Sequence, residues 1–145
     1  MEIVLPLPVA HSRNWPGEPQ SLGECRAWVR RVLPEGCPRA ADVLQVVGEL
    51  AANAVMHSTS GAPGGRYAVQ VEVGPESVGV TVMDLGPVLV KAVRPLGEGG
   101  HGLAIVRELA DGYDAVEWPC GRIVTCWLDY PTTTSCTSSD VTSPT

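Results

Sequence analysis

One long helix, predicted for residues 41 to 57, constrains the fold of this chain more than any other feature. Its apolar residues return to one face at the 3.6-residue period of an α-helix; they are Val43, Val47, Leu50 and Ala54. An apolar face of this length has to be buried against another element. We therefore expect the helix to lie across a sheet.

The expected sheet starts with a hairpin. Residues 67 to 73 and 78 to 84 are rich in valine, and the Gly-Pro-Glu-Ser segment between them is typical of a turn. Two further strands are predicted near residues 113 to 118 and 122 to 130. We expect the two strands of the hairpin to be antiparallel.

Two shorter helices complete the prediction. Ser21 and Glu24 have the spacing of a capping box, and an apolar periodicity follows them, which predicts a helix over residues 21 to 33. A second short helix is predicted over residues 103 to 109, with Gly112 ending it in the left-handed conformation.

The chain of 145 residues is long enough for one compact domain, which we place at residues 21 to 130. Residues 1 to 20 are expected to be an N-terminal extended segment. Within it, prolines confine residues 3 to 9 to a sheet edge or to extended coil. Residues 131 to 145 are almost wholly Ser, Thr and Pro, a composition that predicts a disordered tail.

Composition excludes several classes of function. The formal net charge is -6, with ten basic and sixteen acidic residues, which disfavours nucleic acid as a partner. Long apolar runs and a basic leader are both missing from the sequence, so we expect neither membrane spanning nor export. The five cysteines form no C-x-x-C pair, which indicates reduced thiols in the cytoplasm and no metal site.

A line of polar residues runs along the 41 to 57 helix beside its apolar face. Glu49, Asn53 and His57 are spaced by four residues and therefore share one side. A carboxylate can accept a proton, and a carboxamide oxygen is a ligand suited to Mg²⁺. The pair suits metal-assisted phosphoryl chemistry, although a line of this kind taken alone is more often a solvated stripe.

Asp84 closes the second strand of the hairpin and is followed by Leu85 and Gly86. A carboxylate here can accept a hydrogen bond from an exocyclic amine, and the glycine lets a flat ligand approach the backbone. The alternative is that Asp before Gly only starts a turn.

Residues 85 to 101 show no sustained period and are rich in Gly and Pro, which favours a functional loop or lid. The glycine run that ends it, with Gly100, His101 and Gly102, precedes Leu103 and the short helix. Backbone amides and the helix dipole at this point suit phosphate oxygens. The same composition also serves a flexible linker.

Taken together and in this order, three motifs resemble those of the GHKL ATPase/kinase superfamily. They are Glu49-Leu-Ala-Ala-Asn53-Ala-Val-Met-His57, Asp84-Leu-Gly86 and Gly100-His-Gly102-Leu103. More narrowly, the chain resembles the small anti-sigma-factor serine kinases of actinobacterial regulators. The resemblance covers about residues 20 to 130.

The resemblance implies an α+β fold, a two-layer α/β sandwich of the Bergerat type, with helices on one face of a mostly antiparallel sheet. It implies that Asn53 binds Mg²⁺, that Asp84 accepts the adenine amine of ATP and that Glu49 is the catalytic base. It places further residues around the nucleotide, namely Gly86, Gly100, Gly102, His57, His101 and Leu103. The partners it implies are an anti-anti-sigma protein of STAS type and a sigma factor, with a homodimer as the common assembly.

The chain departs from the family pattern at two positions. The second motif usually continues to another small residue, where Val88 follows Pro87, so the adenine side is expected to be tighter. In the last strand, the threonine often found two residues after Gly121 is replaced by Ile123. Thr125 points to the same side, and we expect it to substitute weakly as a nucleotide-binding residue.

Three activities are consistent with these residues. The first is a serine/threonine protein kinase that phosphorylates the anti-anti-sigma partner and so regulates transcription. The second is a binding module that sequesters a partner and holds ATP without transferring phosphate. The third, a sensor histidine kinase, is disfavoured because the sequence shows no preceding dimerisation helices.

Overall fold

A computed structural model describes residues 9–57, 64–85, 101–118 and 121–130 of the chain. In chain order these residues form β1 (Val9–Pro16), α1 (Gln20–Val32), α2 (Ala40–His57), β2 (Arg66–Val73), β3 (Ser77–Leu85), α3 (His101–Leu109), β4 (Gly112–Trp118) and β5 (Gly121–Asp129). These strands form one sheet in the order β1-β2-β3-β5-β4, and every neighbouring pair is antiparallel. The last strand therefore lies between β3 and β4.

The two faces of the sheet differ in burial. On β2, β3 and β5 every second residue is buried, as expected for strands with one covered face; these residues are Tyr67, Val69, Val71, Val78, Val80, Val82, Val124, Cys126 and Leu128. The residues between them on the other face are mostly half-buried or exposed. Helix α2 packs on β2 and β3 and also contacts α1 and α3. The fold is a two-layer α+β sandwich, which confirms the predicted fold class.

Helix α2 covers the sheet as its periodicity predicted. It begins at Ala40, one residue before the predicted start, and ends at His57. The four apolar residues that defined the pattern are all buried, and further residues of the same broad face join them in the core; these are Leu44, Val46, Ala51 and Val55. The polar line with Glu49 and Asn53 runs beside this face and is half-buried.

The predicted capping box of α1 is wrong. Helix α1 begins at Gln20, and Pro19 is its N-cap with no capping side chain. Ser21 lies inside the helix and is buried, where its hydroxyl donates to the Glu18 carbonyl at 2.8 Å and lies 2.7 Å from the Tyr67 hydroxyl. The serine therefore ties α1 to β2 instead of capping its own helix.

The described N-terminal strand continues past the predicted residues 3 to 9, of which Val9 alone is described. Strand β1 covers Val9–Pro16 at the edge of the sheet and pairs with β2. Most of its residues are exposed, and Trp15 is its one buried side chain. An edge strand with so little burial has no hydrophobic alternation, which explains why the sequence pattern did not locate it. Residues 1–8 are outside the described part of the chain.

Helix α3 does not end at a glycine in the left-handed conformation, although we predicted this for Gly112. Among the described residues only Gly36 and Gly64 have positive φ angles. Gly112 instead begins β4, where a Cβ would overlap the indole of Trp127. The glycine is required for close approach of this side chain and not for the helix end.

Arg39 joins α2, α3 and the end of β5. Its Nε donates to Asp42 at 2.9 Å, and its Nη2 donates to the Leu109 carbonyl at 2.6 Å. Its Nη1 donates to Asp111 at 3.1 Å and to the Asp129 carbonyl at 2.8 Å. One side chain thus holds the C-terminal end of α3 against the start of α2 and the sheet.

Several predictions fall on residues outside the described ranges. These include most of the predicted lid, with Gly86 and Gly100, and the predicted tail of residues 131–145. In the described part of the chain, every helix is too short or too polar to cross a membrane.

Candidate functional site

The polar line on α2 places two functional groups side by side. Glu49 and Asn53 are one helical turn apart, and both are half-buried. Within the described parts of the chain, neither side chain makes a hydrogen bond or an ion pair. His57 ends the helix, and its side chain is outside the described atoms. A carboxylate and an amide in this setting retain their full capacity to meet a ligand.

Glu49 also lines a groove between α1 and α2. The groove has a volume of about 400 Å³ and is lined by Leu22, Arg26, Ala41, Leu44, Gln45, Gly48 and Glu49. The side chain of Arg26 lies against Gly48, since a Cβ there would be 3.5 Å from the arginine Cδ. The carboxylate of Glu49 is therefore accessible from the α1 side of the helix.

Asp84 lies near the carboxyl end of β3 on the face that the helices cover. It is 6 % exposed, and its backbone partner on β2 is Tyr67. Its Oδ2 lies 3.7 Å from Nε of Arg122, which is 8 % exposed. These two residues are the buried acid and the buried base of the described chain, and they face each other.

The pair follows from the register of β3 and β5. The paired residues of the two strands run from Ser77 opposite Asp129 to Met83 opposite Ile123, and one further step brings Asp84 opposite Arg122. A buried charge without a partner is costly, and removing one member of such a pair costs about 3–5 kcal/mol. Arg122 therefore compensates the Asp84 carboxylate inside the protein.

Sequence reasoning did not find Arg122. The arginine follows Gly121 at the start of the last strand. The sequence pattern in this strand suggested a role only for Ile123 and Thr125. The signal that would have found it is the pairing of β3 with β5, because that pairing sets Arg122 beside Asp84. Local sequence patterns do not determine which strands pair.

Tyr67, the β2 neighbour of Asp84, brings no charge to this region. Burial raises the pKa of the Tyr67 hydroxyl to about 12, and a hydrogen bond with Ser21 opposes that shift. The phenol is therefore neutral near pH 7. Arg122 is thus the charged group that the described structure pairs with Asp84.

Thr125 does not join Asp84 and Asn53. It lies on the face of β5 that points away from the helices, where its Oγ1 is 3.2 Å from Oγ1 of Thr81 on β3. Ile123 points to the same side, as predicted, because the two residues are two positions apart in a strand. The β5 side chain that reaches Asp84 is that of Arg122.

The third predicted motif leads into α3. His101, Gly102 and Leu103 are the first three residues of this helix, which starts two residues earlier than predicted. Their side chains are outside the described atoms, and Gly86 and Gly100 are outside the described ranges. Since the first four N–H groups of a helix lack intrahelical acceptors, the start of α3 offers donors to an anion.

The groups present fit a Mg-nucleotide. Mg²⁺ is usually held by one or two protein oxygens together with substrate phosphates and water, which the single amide oxygen of Asn53 suits. A cluster of three or more acidic, His or Cys ligands does not occur within the described residues. The metal in such a site would depend on the phosphates for most of its ligands.

Comparison with known proteins identifies the domain. The family model of the histidine kinase-like ATPase domain matches residues 15–126, a span that includes Glu49, Asn53 and Asp84. A search of curated proteins found no match. The match implies that the chain binds ATP, and it agrees with the motifs and with the α+β sandwich. The chain therefore belongs to the histidine kinase-like ATPase domain family, within the GHKL superfamily that its motifs resemble.

Proposed function

We propose that this protein is an anti-sigma-factor serine/threonine kinase. In this proposal it uses Mg-ATP to phosphorylate a serine on an anti-anti-sigma protein of STAS type, and it also binds a sigma factor. The observation that carries the proposal is that Glu49 and Asn53 lie on one side of α2, where both side chains are half-buried and make no hydrogen bond or ion pair within the described residues. We propose a cytoplasmic location and a homodimer as the working assembly.

Different residues bind the nucleotide and accept the proton. Asp84 accepts a hydrogen bond from the base, Asn53 supplies an oxygen to Mg²⁺, and the first N–H groups of α3 meet phosphate oxygens. Phosphoryl transfer depends mainly on positioning and on neutralising charge, which Mg²⁺ supplies when it is bound. Glu49 accepts the proton of the attacking serine hydroxyl.

The reaction balances with these groups. A new bond forms between the serine oxygen and the γ-phosphorus, and the bond from that phosphorus to the β–γ bridging oxygen breaks. ADP leaves, and the hydroxyl proton passes to Glu49. This step needs no oxidant and no further substrate.

Glu49→Gln separates transfer from binding. The amide keeps the shape and polarity of the side chain but is a far weaker base, so we expect nucleotide affinity to persist while turnover falls by about 10²–10⁴-fold. Labelled ATP, Mg²⁺ and the candidate STAS-type protein measure the transfer, and phosphoserine is identified on the partner.

The matched control for this variant is Glu108→Gln, which removes an exposed carboxylate from α3. It should transfer phosphate at the rate of the unaltered protein. Equal phosphorylation by the Glu49→Gln variant would remove the role assigned to Glu49. If the protein binds ATP and both partners but transfers nothing, the activity is sequestration of a partner and not catalysis.

A further inference from the structure

Arg122 is a buried cation that the proposed reaction does not use. Its side chain is 9 % exposed and lies against Asp84, whose side chain is 7 % exposed. Burying a guanidinium on a strand is unfavourable unless an anion compensates it. No step of the proposed transfer needs Arg122, so its contact with Asp84 suggests a role that is not catalytic.

The distance between the guanidinium of Arg122 and the carboxylate of Asp84 is that of an ion pair without a direct hydrogen bond through Nε. Nε and Oδ2 are 3.7 Å apart, which is longer than a direct hydrogen bond and still a close ion pair. A carboxylate has about four lone-pair sites, which is more than an ion pair at Oδ2 occupies. The arginine therefore supports the charge of Asp84 without consuming its ability to accept.

The protonation state of Asp84 decides what it can recognise. An ionised carboxylate only accepts hydrogen bonds, whereas a protonated one also donates. Desolvation favours the neutral form of a buried acid, and a cation nearby favours the charged form. The register of β3 and β5 brings the backbone of Arg122 next to that of Asp84.

We propose that Arg122 is a positioning residue of the base subsite: it keeps Asp84 ionised and oriented so that Asp84 accepts a hydrogen bond from the exocyclic amine of the base. This inference rests on the proposed nucleotide site. Its consequence is that Arg122 sets the preference of the protein for a base with an exocyclic amine at that position.

Two nucleotides that differ by this amine provide the test. ATP carries the 6-amino group, and purine riboside triphosphate lacks it. Calorimetric titration in the presence of Mg²⁺ should show that the unaltered protein binds ATP about ten- to a hundredfold more tightly than the analogue, the range for one hydrogen bond to a charged group.

Variants of Arg122 should change the ratio of the affinities for ATP and for the analogue, and not only the affinity for ATP. In Arg122→Met we expect ATP to bind about as weakly as the analogue, so that the ratio falls to about one to three. Arg122→Lys keeps the positive charge and should restore most of the ratio. Arg66→Met is the matched control, because Arg66 is an exposed arginine near the same end of the sheet, on β2.

A second neutral variant protects the test against loss of folding. Circular dichroism reports whether each variant is folded, and Arg122→Gln replaces the Met variant if that protein does not fold. If the neutral variants keep the ratio of the unaltered protein, the inference about Arg122 is wrong while the nucleotide site stands. If the unaltered protein binds neither nucleotide, the proposed site and this inference both fail.

Discussion

Trp127 lies across Gly112 on the outer face of the sheet. A Cβ at residue 112 would overlap the indole, so any larger residue has to displace Trp127 or β4. We expect Gly112→Ala to lower the free energy of unfolding by about 1–3 kcal/mol, the usual cost of overpacking. Urea denaturation followed by tryptophan fluorescence measures the change.

Gly79 is the control for this substitution. It also lies in a strand, but a Cβ there would meet Cβ of Glu72 at 3.8 Å, which is ordinary contact. Gly79→Ala should therefore leave stability unchanged or raise it slightly, because alanine restricts the unfolded chain more than glycine does. Equal losses in the two variants would contradict the role given to Trp127.

Asp111 makes the free energy of unfolding fall as the pH is lowered. Its carboxylate accepts the N–H of Asp129 at 2.6 Å and a guanidinium N–H of Arg39 at 3.1 Å. These contacts, the backbone N–H first, lower the pKa of Asp111 below its ordinary value. A lowered pKa means that the folded protein favours the carboxylate, so this stabilisation is present above the unfolded pKa of about 3.9 and is lost as the pH falls through the folded value.

Asp111→Asn should therefore be less stable than the unaltered protein at pH 7. The difference should shrink as the buffer is acidified below the unfolded pKa, since the stabilisation by the carboxylate is lost as Asp111 of the folded protein takes up a proton. Urea midpoints at several pH values measure it. Asp114→Asn is the control, because Asp114 is an exposed aspartate of β4 without an ion pair in the described structure. The urea midpoint of this variant should differ little from that of the unaltered protein at every pH.

The position of α3 against α2 and β5 depends on Arg39. This residue bonds the Leu109 carbonyl at the end of α3, Asp42 at the start of α2 and the Asp129 carbonyl at the end of β5. The start of α3 is also the third predicted nucleotide motif. Arg39 thus holds the C-terminal end of the helix whose first residues we propose to meet the phosphates.

Arg39→Met removes these bonds while keeping most of the apolar stem. We expect a loss of about 1–3 kcal/mol in unfolding free energy, because two carbonyls lose a charged donor. Hydrogen exchange should also speed up at the amides of α3. Arg31→Met, which removes an exposed arginine of α1, should change stability by less than about 0.5 kcal/mol. A loss of the same size in both variants would contradict this account.

For the whole molecule, periodicity predicted the elements that are buried on one face. Helix α2 and the β2–β3 hairpin were found because their apolar residues repeat along a covered face. The part of β1 beyond Val9 was not predicted, because it is an exposed edge strand without hydrophobic alternation. Residues that act through burial within the fold, such as Ser21 and Gly112, were assigned roles from local motifs that the tertiary contacts override.

The candidate site was predictable only in part, for the same physical reason. Glu49 and Asn53 lie together because helical spacing alone brings them to one side. Arg122 and Thr125 are three residues apart on one strand and therefore lie on opposite faces. The pairing with β3 places Arg122, and not Thr125, beside Asp84. Strand pairing is a property of the folded chain, and the local sequence does not contain it.

We propose that Asn53 holds the metal of an ATP bound between α2, the end of β3 and the start of α3. Calorimetric titration of the protein with ATP, with and without Mg²⁺, tests it most directly when Asn53→Ala is titrated in parallel. We predict saturable binding that Mg²⁺ strengthens in the unaltered protein, and a Mg²⁺ effect reduced by about tenfold or more in the variant. The absence of binding at millimolar ATP, or an equal Mg²⁺ effect in both proteins, would contradict the claim.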